Sequence, residues 1–485
     1  MAQASLAPAM KGSILTSNQA LNLGRLARRS GANTMPLPIG PFFVLALLIP
    51  CVESLQLPSV HVQGEDAATV RTSGVWWAQV DDKLYHAPTQ AVSLLGLSSE
   101  VSHYYYALGS FDALTDEMKE RRVGGEGRWH IFHLPDGPGA LAHVPASGDR
   151  RTAVSALLQL RGGEVLRNTF PPYVADADYQ DPLDASARDL EASAVQLITA
   201  DTVQQYLTGL LNYPTRSWSN DDQSGKVQAF LQEELSALGY KTCLHPFEYR
   251  GHTLKNVVAV VPGAKSGSQT VTLGAHYDSR PFDGSAPGAE DNGSGVAALL
   301  TLAKAFASAK ITPARTTYFV AFAGEEPGLL GSDAFVKALR EGTLPADCQT
   351  SSTTSSFLQL SARARAEQHQ AIIMDEVGWL SPKYSERTVN LETYDTCSMQ
   401  MQHLRHATQL HNGDSLKVVH NSNPFGSDHM SWLNSDFRAV LTINADDEAY
   451  PHYHQSSDTV DNVNGDYVAQ IGKMNFGGLL RMALP

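Results

Sequence analysis

"TTYFVAFAGEEPGLLGSDAFVKALREG", Thr316 to Gly342, runs through four kinds of text in 27 residues. A β-branched and aromatic run reads as a strand. A pair of glutamates ends it, a Pro-Gly turn follows, and "LLGSDAFVKALREG" has helical spacing. Outward from this unit the alternation repeats. Upstream lie the strands "LKNVVAVVPG" and "QTVTLGAH" and the helix "GSGVAALLTLAKAFASA", with Val296, Leu299, Leu300, Ala303 and Phe306 on one stripe. Downstream lie the strands "HQAIIMDEVG" and "FRAVLTINA". Strands alternating with helices predict an α/β layered domain with a mostly parallel sheet. The glutamate pair is then odd, because like charges at the buried end of a sheet repel and are costly to desolvate.

The chain has 485 residues, enough for one large domain and a smaller one, and its 42% apolar and 18% charged composition is that of a globular protein. A formal net charge of -14, with no basic stripe, argues against nucleic-acid binding. Four cysteines make no disulfide framework. Cys243, Cys348 and Cys397 read as core or loop residues with one bridge possible among them.

No acidic residue precedes Glu53, whereas Lys11, Arg25, Arg28 and Arg29 precede the apolar run "PFFVLALLIPCV". Residues 1–54 therefore read as a targeting segment, a signal peptide or an anchor, directing the chain to secretion or to an endomembrane or organelle lumen. Contact with a membrane is expected only if that segment stays uncleaved as an anchor. Residues 55–190 are irregular: short aromatic runs such as "GVWWAQV" and "SHYYYALGSF" suggest a small mixed or β-rich domain. The tyrosines at 104 to 106 and Trp76 and Trp77 read as core rather than partner surface. "FPPYVADADYQDPLDASARDLEAS" reads as an acidic linker, and the helical text that opens the third region, residues 195–485, follows it.

In open α/β sheets, ligands bind beyond the carboxyl ends of the strands. At those ends stand His276, Tyr277 and Asp278 after "VTLGA", Glu325 and Glu326 after "YFVAFAG", and Asp375 after "AIIM". Asp291 stands at the entry to the helix, and "HYHQSSDT" near the C-terminus supplies His452, His454 and Asp458. Taken singly, such residues are hydrogen-bonded loop histidines and turn or cap aspartates. Together they form a histidine and carboxylate set suited to zinc. Asp278 is spaced to accept the second N–H of His276.

The segments "GAHYDS", "AEDNGSG", "AGEEPGLLGS", "MDEVG", "SDHMSW" and "YHQSSDT" occur here in one order. Over Thr202 to Leu479 they make the chain resemble the M28 zinc peptidases, above all the secreted leucyl-type aminopeptidases. The resemblance implies a mixed, mostly parallel sheet flanked by helices, with two zinc ions per chain. Asp291 would bridge them, Glu326 and His454 completing one site and His276 and Asp375 the other. Glu325 would be the general base acting on zinc-bound water, Asp278 would orient His276, and Asp458 would lie behind the ligands. The implied substrates are peptides with a free N-terminus. Residues 55–190 would be a propeptide or a permanent domain.

Two departures stand out. "HNSNPFGSDH" lacks the tyrosine that precedes Ser-Asp-His in related aminopeptidases, so oxyanion stabilisation falls to zinc or to a donor such as Tyr453. The one glycosylation pattern, "NGS" at Asn292 to Ser294, adjoins a ligand and is expected to carry no glycan. Alternative readings remain. Carboxypeptidase and dipeptidase branches also use two zincs, and glutaminyl-peptide cyclases share the fold with one zinc. A binding protein that lost its metals is disfavoured because all five ligands are present. A serine hydrolase is disfavoured by the missing Gly-x-Ser-x-Gly elbow. His403, His406 and His411 read as a solvated helix rather than a metal site.

Overall fold

The computed structural model describes residues 57–87, 103–135 and 157–485, with interruptions at 58, 63–64, 73–75, 109–110, 112–113, 127, 160–163, 167–169, 171, 175, 266–268, 350–361 and 425. The targeting segment read at 1–54 lies outside these residues. No helix among the described residues is long and apolar enough to cross a membrane.

The first region is β-rich, as expected. Strands β1 (Ser59–His61), β2 (Trp76–Val80), β3 (Lys83–Ala87) and β8 (Glu164–Leu166) form one four-stranded sheet, ordered β1-β3-β2-β8. Strands β4 (Tyr104–Leu108), β5 (Arg122–Gly124), β6 (Trp129–His133) and β7 (Leu158–Gln159) form a second, ordered β5-β6-β4-β7. Ala107, Leu114, Met118, Phe132 and Leu134 make its small core. Tyr104 is buried, and Tyr106 packs against Trp129 at 5.8 Å between centroids, so these rings do serve packing. The side chains of Trp76 and Trp77 lie outside the description.

The second region is built on eight strands: β9 (Lys241–Tyr249), β10 (His252–Val261), β11 (Thr270–His276), β12 (Thr316–Phe322), β13 (His369–Met374), β14 (Thr388–Glu392), β15 (Lys417–Asn421) and β16 (Arg438–Asn444). Their order is β15-β14-β16-β13-β11-β12-β10-β9. The four central strands β12, β11, β13 and β16 run parallel, while β10 and β14 pair antiparallel to the outer two of them. The mixed, mostly parallel sheet expected from the sequence is therefore present. Every residue of β11, β12 and β13 is buried, as parallel strands covered on both faces must be.

The helix Gly295–Ser308 departs from its one-stripe pattern. Ala297, Ala298, Leu302 and Ala305 are as buried as Val296, Leu299, Leu300, Ala303 and Phe306. Sheet strands pack on one side of it, and the helices Ala200–Leu210 and Gly465–Ala483 pack on others, so it is a core helix. Full burial of each Leu, Val or Phe is worth about 1.5–3 kcal/mol, and this spine fixes the loop that carries Asp291 just ahead of it. Cys243 of β9 is bridged to Cys348, their Cα atoms 5.5 Å apart, and Cys397 is buried and free.

The acidic stretch before the second region is docked. Asp184 caps the helix Ala185–Ala194 through the Ala187 N–H. Arg481, fully buried in the C-terminal helix, donates to Glu191 at 2.8 and 3.2 Å and to Asp181 at 3.1 Å. The helix Ser398–His411, read from sequence as solvated, buries one face against the C-terminal helix Gly465–Ala483, and the docked stretch adds contacts to its histidines. His403 is buried and meets the Tyr179 hydroxyl at 2.8 Å, and His411 meets Glu191 at 2.8 Å. The sequence conceals these two histidine contacts because their partners lie more than 200 positions earlier.

Candidate metal centre

The parallel strands β11, β12 and β13 all end at one rim, and each hands a ligand to it. His276 is the last residue of β11, Glu325 and Glu326 follow β12, and Asp375 follows β13. Two three-residue groups result, with ligand atoms within 4.8 Å of one another: His276, Asp291 and Asp375, then Asp291, Glu326 and His454. All five residues proposed as ligands are thereby brought together, and Asp291 belongs to both groups. His276 Nε2 lies 3.3 Å from Asp291 Oδ1 and 3.3 Å from Asp375 Oδ1. His454 Nε2 lies 3.0 Å from Asp291 Oδ2 and 3.0 Å from Glu326 Oε2.

The residues fit zinc on their own geometry. Both carboxylate oxygens of Glu326 are buried without a hydrogen-bond partner although His454 Nε2 is 3.0 Å away. Close approach without hydrogen-bond alignment is what lone pairs aimed at one common point produce. Imidazole nitrogen and carboxylate oxygen are the donors zinc takes. The electrostatics agree. Burial pushes the Glu325 carboxyl well above its ordinary range, reinforced by Glu326 and Asp428, and burial lifts Glu326 to about 7. Burial opposes charge on His276, but Asp375 and Glu325 outweigh it and raise its pKa. Such a cluster is stable when cations compensate it.

The two adjacent glutamates diverge, as successive residues leaving a strand do. Glu326 turns to His454, while Glu325 Oε2 stands 4.0 Å from His276 Nε2 and its Oε1 has no partner. Asp278 accounts for the position of both. Its Oδ1 accepts the Glu325 N–H at 3.1 Å and its Oδ2 the Glu326 N–H at 3.2 Å. The role expected for it, receiving the second ring nitrogen of His276, goes mainly to its backbone carbonyl at 3.2 Å, with the carboxylate at 3.6 Å. Asp458 holds the Asp291 loop by accepting the N–H groups of Glu290 at 2.9 Å and Asp291 at 3.0 Å. The Tyr450 hydroxyl donates to Asp458 Oδ1 at 2.6 Å. Tyr453 stacks its ring on His454, 3.7 Å between centroids. His452 turns away and pairs with the Ser457 hydroxyl at 2.9 Å. Asn292 is buried with its amide donating to the Met374 carbonyl at 2.9 Å, which leaves that glycosylation pattern inaccessible.

Several supports carry no sequence signal of their own. Ser427 donates to Asp375 Oδ2 at 2.7 Å, so the first residue of "SDH" orients a ligand. Arg216, fully buried, donates to the carbonyls of Tyr277 at 2.7 Å and Gly288 at 2.8 Å and to that of Pro287, tying the His276 and Asp291 loops together. Burial lowers its pKa to about 10, which keeps it charged. Arg280 lies at the mouth, 3.4 Å from Glu326 Oε2 and 3.1 Å from His454 Nδ1. A stretch so short as "SDH" gave the one usable hint, and the arginines gave none.

Comparison with known proteins agrees with this geometry. The sequence profile of peptidase family M28 matches residues 256–477. A probable zinc metalloprotease of Pyricularia oryzae is 28% identical over 259 residues, which are 47% of this chain and 50% of that protein. A probable leucine aminopeptidase of Trichophyton verrucosum is 27% identical over 241 residues, 47% of this chain and 57% of that one. The chain thus spans about half the length of these curated relatives. Among solved structures, the LapA aminopeptidase of Legionella pneumophila superposes with a TM-score of 0.52 at 19% identity, covering 79% of this chain and 99% of its own. That likeness is one of fold. The profile match runs through all the ligand-bearing strand ends, so over residues 256–477 the chain is similar to peptidase family M28.

Proposed function

We propose that this protein is a two-zinc aminopeptidase that removes the N-terminal residue from peptides. The observation that carries the reading is the pair of ligand groups sharing Asp291, with an uncommitted buried glutamate, Glu325, beside them. His276, Asp291 and Asp375 would hold one ion, and Asp291, Glu326 and His454 the other. When bound, the ions supply Lewis acidity, polarising the scissile carbonyl and lowering the pKa of a water toward ~7. Glu325 then takes the proton of that water as it attacks and delivers it to the leaving amine. Asp278 keeps Glu325 at that station by gripping its N–H, and Ser427 and Asp458 keep Asp375 and the Asp291 loop in place. Tyr453 remains the candidate donor to the oxyanion. Aminopeptidase-named relatives support the choice of a free N-terminus as the substrate feature.

The reading of residues 1–54 as a targeting segment supports a site of action that is secreted or in an endomembrane or organelle lumen. Residues 55–190 are proposed as a first region whose acidic end stays docked on the second, Asp181 meeting Arg481 and Tyr179 meeting His403. The test is to incubate the zinc-loaded protein with a leucine-headed peptide and its N-acetylated twin and to identify products by mass. Loss of the first residue from the free peptide alone is the expected result. Release from the C-terminus would move the protein to the carboxypeptidase branch, and ring closure of an N-terminal glutamine without hydrolysis would make it a cyclase. Metal analysis should approach two zinc equivalents, and a fully active protein with one would overturn that count.

A further inference from the structure

The ligand cluster opens toward Arg280. The side chains of His276, Asp291, Glu326 and Asp375 are 6% exposed or less, whereas His454 is 11% and Arg280 23% exposed. From that opening a row of rings continues along the rim. The Arg280 guanidinium lies over the Phe282 ring at 4.2 Å, and Phe282 meets Trp218 at 5.8 Å. Trp218 in turn meets Tyr249 at 5.0 Å and His252 at 5.5 Å. Trp218 and Tyr249 pack inward on the core, yet all four rings are only half-buried and keep surface toward solvent. The row is built into the site. Phe282 sits in the loop that joins the ligands His276 and Asp291. Arg216, two residues before Trp218, ties that loop down through the carbonyls of Tyr277 and Gly288, and the Ala286 N–H donates to the Pro214 carbonyl at 2.9 Å. Tyr249 and His252 flank the turn between β9 and β10. β10 runs antiparallel to β12 with Val257 opposite Ala321, so this turn overhangs the rim that carries Glu325 and Glu326.

Apolar surface that continues from a reaction centre is where the remainder of a ligand lies. An aminopeptidase holds the first residue of its substrate at the metals, so the chain leaves through the opening and passes Arg280. An extended peptide covers about 3.3–3.6 Å per residue. Its second residue then falls at Phe282, and roughly the next two or three fall at Trp218 and Tyr249. We propose that Phe282, Trp218 and Tyr249 form the binding track for the peptide beyond the cleaved bond, selecting an apolar or aromatic side chain at its second residue. The occupant rests on the aminopeptidase reading, while the position of the track beside the ligands rests on the geometry alone.

The test is calorimetric binding of two probes to the zinc-loaded full chain. They are Leu-Phe-amide and Leu-Ala-amide with the scissile carbonyl reduced to a methylene, so that neither can be cleaved. An aromatic contact of this kind favours the Phe probe roughly tenfold. Phe282→Ala should bring that ratio toward one, and Phe282→Leu, which keeps an apolar side chain, should retain part of it. A probe lengthened to Leu-Phe-Ala-Phe-amide should bind more tightly still, and Tyr249→Ala should remove that gain. Zinc content and melting temperature, measured on each variant, separate a lost contact from a folding defect. Wild-type protein that binds the two short probes equally overturns the proposal, as does a Phe282→Ala variant of normal zinc content that keeps the wild-type ratio. A wild-type dimer in sedimentation that Phe282→Ala dissolves would assign the rings to a second copy of the chain and overturn it too. Cleavage of unreduced Leu-Phe-amide but not of its N-acetylated twin, assayed on the same wild-type sample, judges the aminopeptidase reading separately.

Discussion

Replacing each of the two adjacent glutamates by glutamine gives the sharpest test, because the two changes are chemically identical and their expected consequences differ. Glu325 reaches no closer than 4.0 Å to His276 Nε2, and its Oε1 is enclosed and unpartnered, so an amide there breaks no described contact. What Glu325→Gln removes is basicity. General-base catalysis contributes typically 10²–10⁴ in rate, equivalent to about 2.7–5.5 kcal/mol of transition-state stabilisation. The expected result is therefore a kcat loss of that size with zinc content and melting temperature unchanged. Glu326 Oε2 lies 3.0 Å from His454 Nε2 in one ligand group, so Glu326→Gln takes a charged donor from a metal site. That variant should fall toward one zinc equivalent at low free metal and regain part of its activity in excess zinc. Peptide turnover, elemental analysis and thermal melting on the same preparations read all of this. If Glu325→Gln turns over peptide near the wild-type rate with both metals present, the assignment of the base is wrong. If both variants behave as wild type, the cluster is not an active site.

Three further outcomes follow from the packing. Glu191→Gln leaves His411 without its carboxylate partner and Arg481 with Asp181 alone; breaking a buried pair outright costs about 3–5 kcal/mol, which bounds the expected loss from above. Burial works against charge on Glu191, but His411 and Arg481 hold its carboxyl below the ordinary 4.5, so the stability it gives is present above that pH and is lost as pH falls through the lowered value. The melting-temperature gap between Glu191→Gln and wild type should thus narrow on acidification below pH 4.5, and a gap independent of pH would refute the charge argument. A chain beginning near Tyr173 keeps Asp181 and Glu191 and should melt well above one beginning at Val195. Equal melting temperatures for the two would show that the docked stretch is dispensable. The Cys243–Cys348 bridge spans 105 residues, and its removal by Cys348→Ser should cost about 2–4 kcal/mol in thermal or denaturant unfolding. Peptide mapping without reductant that finds both thiols free would dispose of it.

The legible strands were those with a continuous apolar run. β10 to β13 and β16 are runs of Val, Ile, Leu, Phe and Ala ended by Gly, His or Asp, and that text has one economical reading. β9 hid because "KTCLHPFEY" alternates imperfectly and contains Pro246, which an edge strand tolerates and a central one does not. β14 and β15 are five residues each and take their order from pairing partners far along the chain. The C-terminal helix Gly465–Ala483 was obscured by Gly477 and Gly478, which lower helix propensity. Packing explains them: a Cβ on Gly477 would lie 2.4 Å from Glu191 Oε1 and 2.6 Å from the Ala407 Cβ, and one on Gly478 would lie 2.5 Å from Leu404 Cδ2. The glycines buy close contact with the neighbouring helix, a reason that exists only in three dimensions.

The same division runs through the site. Each ligand could be read because covalent geometry alone puts it at a strand end, and because consecutive glutamates must diverge whatever surrounds them. What holds a ligand still is set by whatever arrives in space. Asp278 looked like the orienter of its near neighbour His276, two residues away, yet its carboxylate is committed to N–H groups 47 and 48 residues later. Nothing within "HYD" distinguishes those roles, since the competition is decided by where the turn after β12 falls. Arg216 is the stronger case: it reaches carbonyls 61 and 72 residues away, and a lone arginine in "PTRSWS" reads as surface. Its burial is tolerable because Asp458, Asp291 and Asp278 surround it with negative charge, which in turn is tolerable only because metal ligands cluster there. The supports and the ligands are thus conditions for one another. A residue-by-residue reading recovers the half of that pair with a local signature. The other half becomes visible only when one asks of each buried charge what balances it.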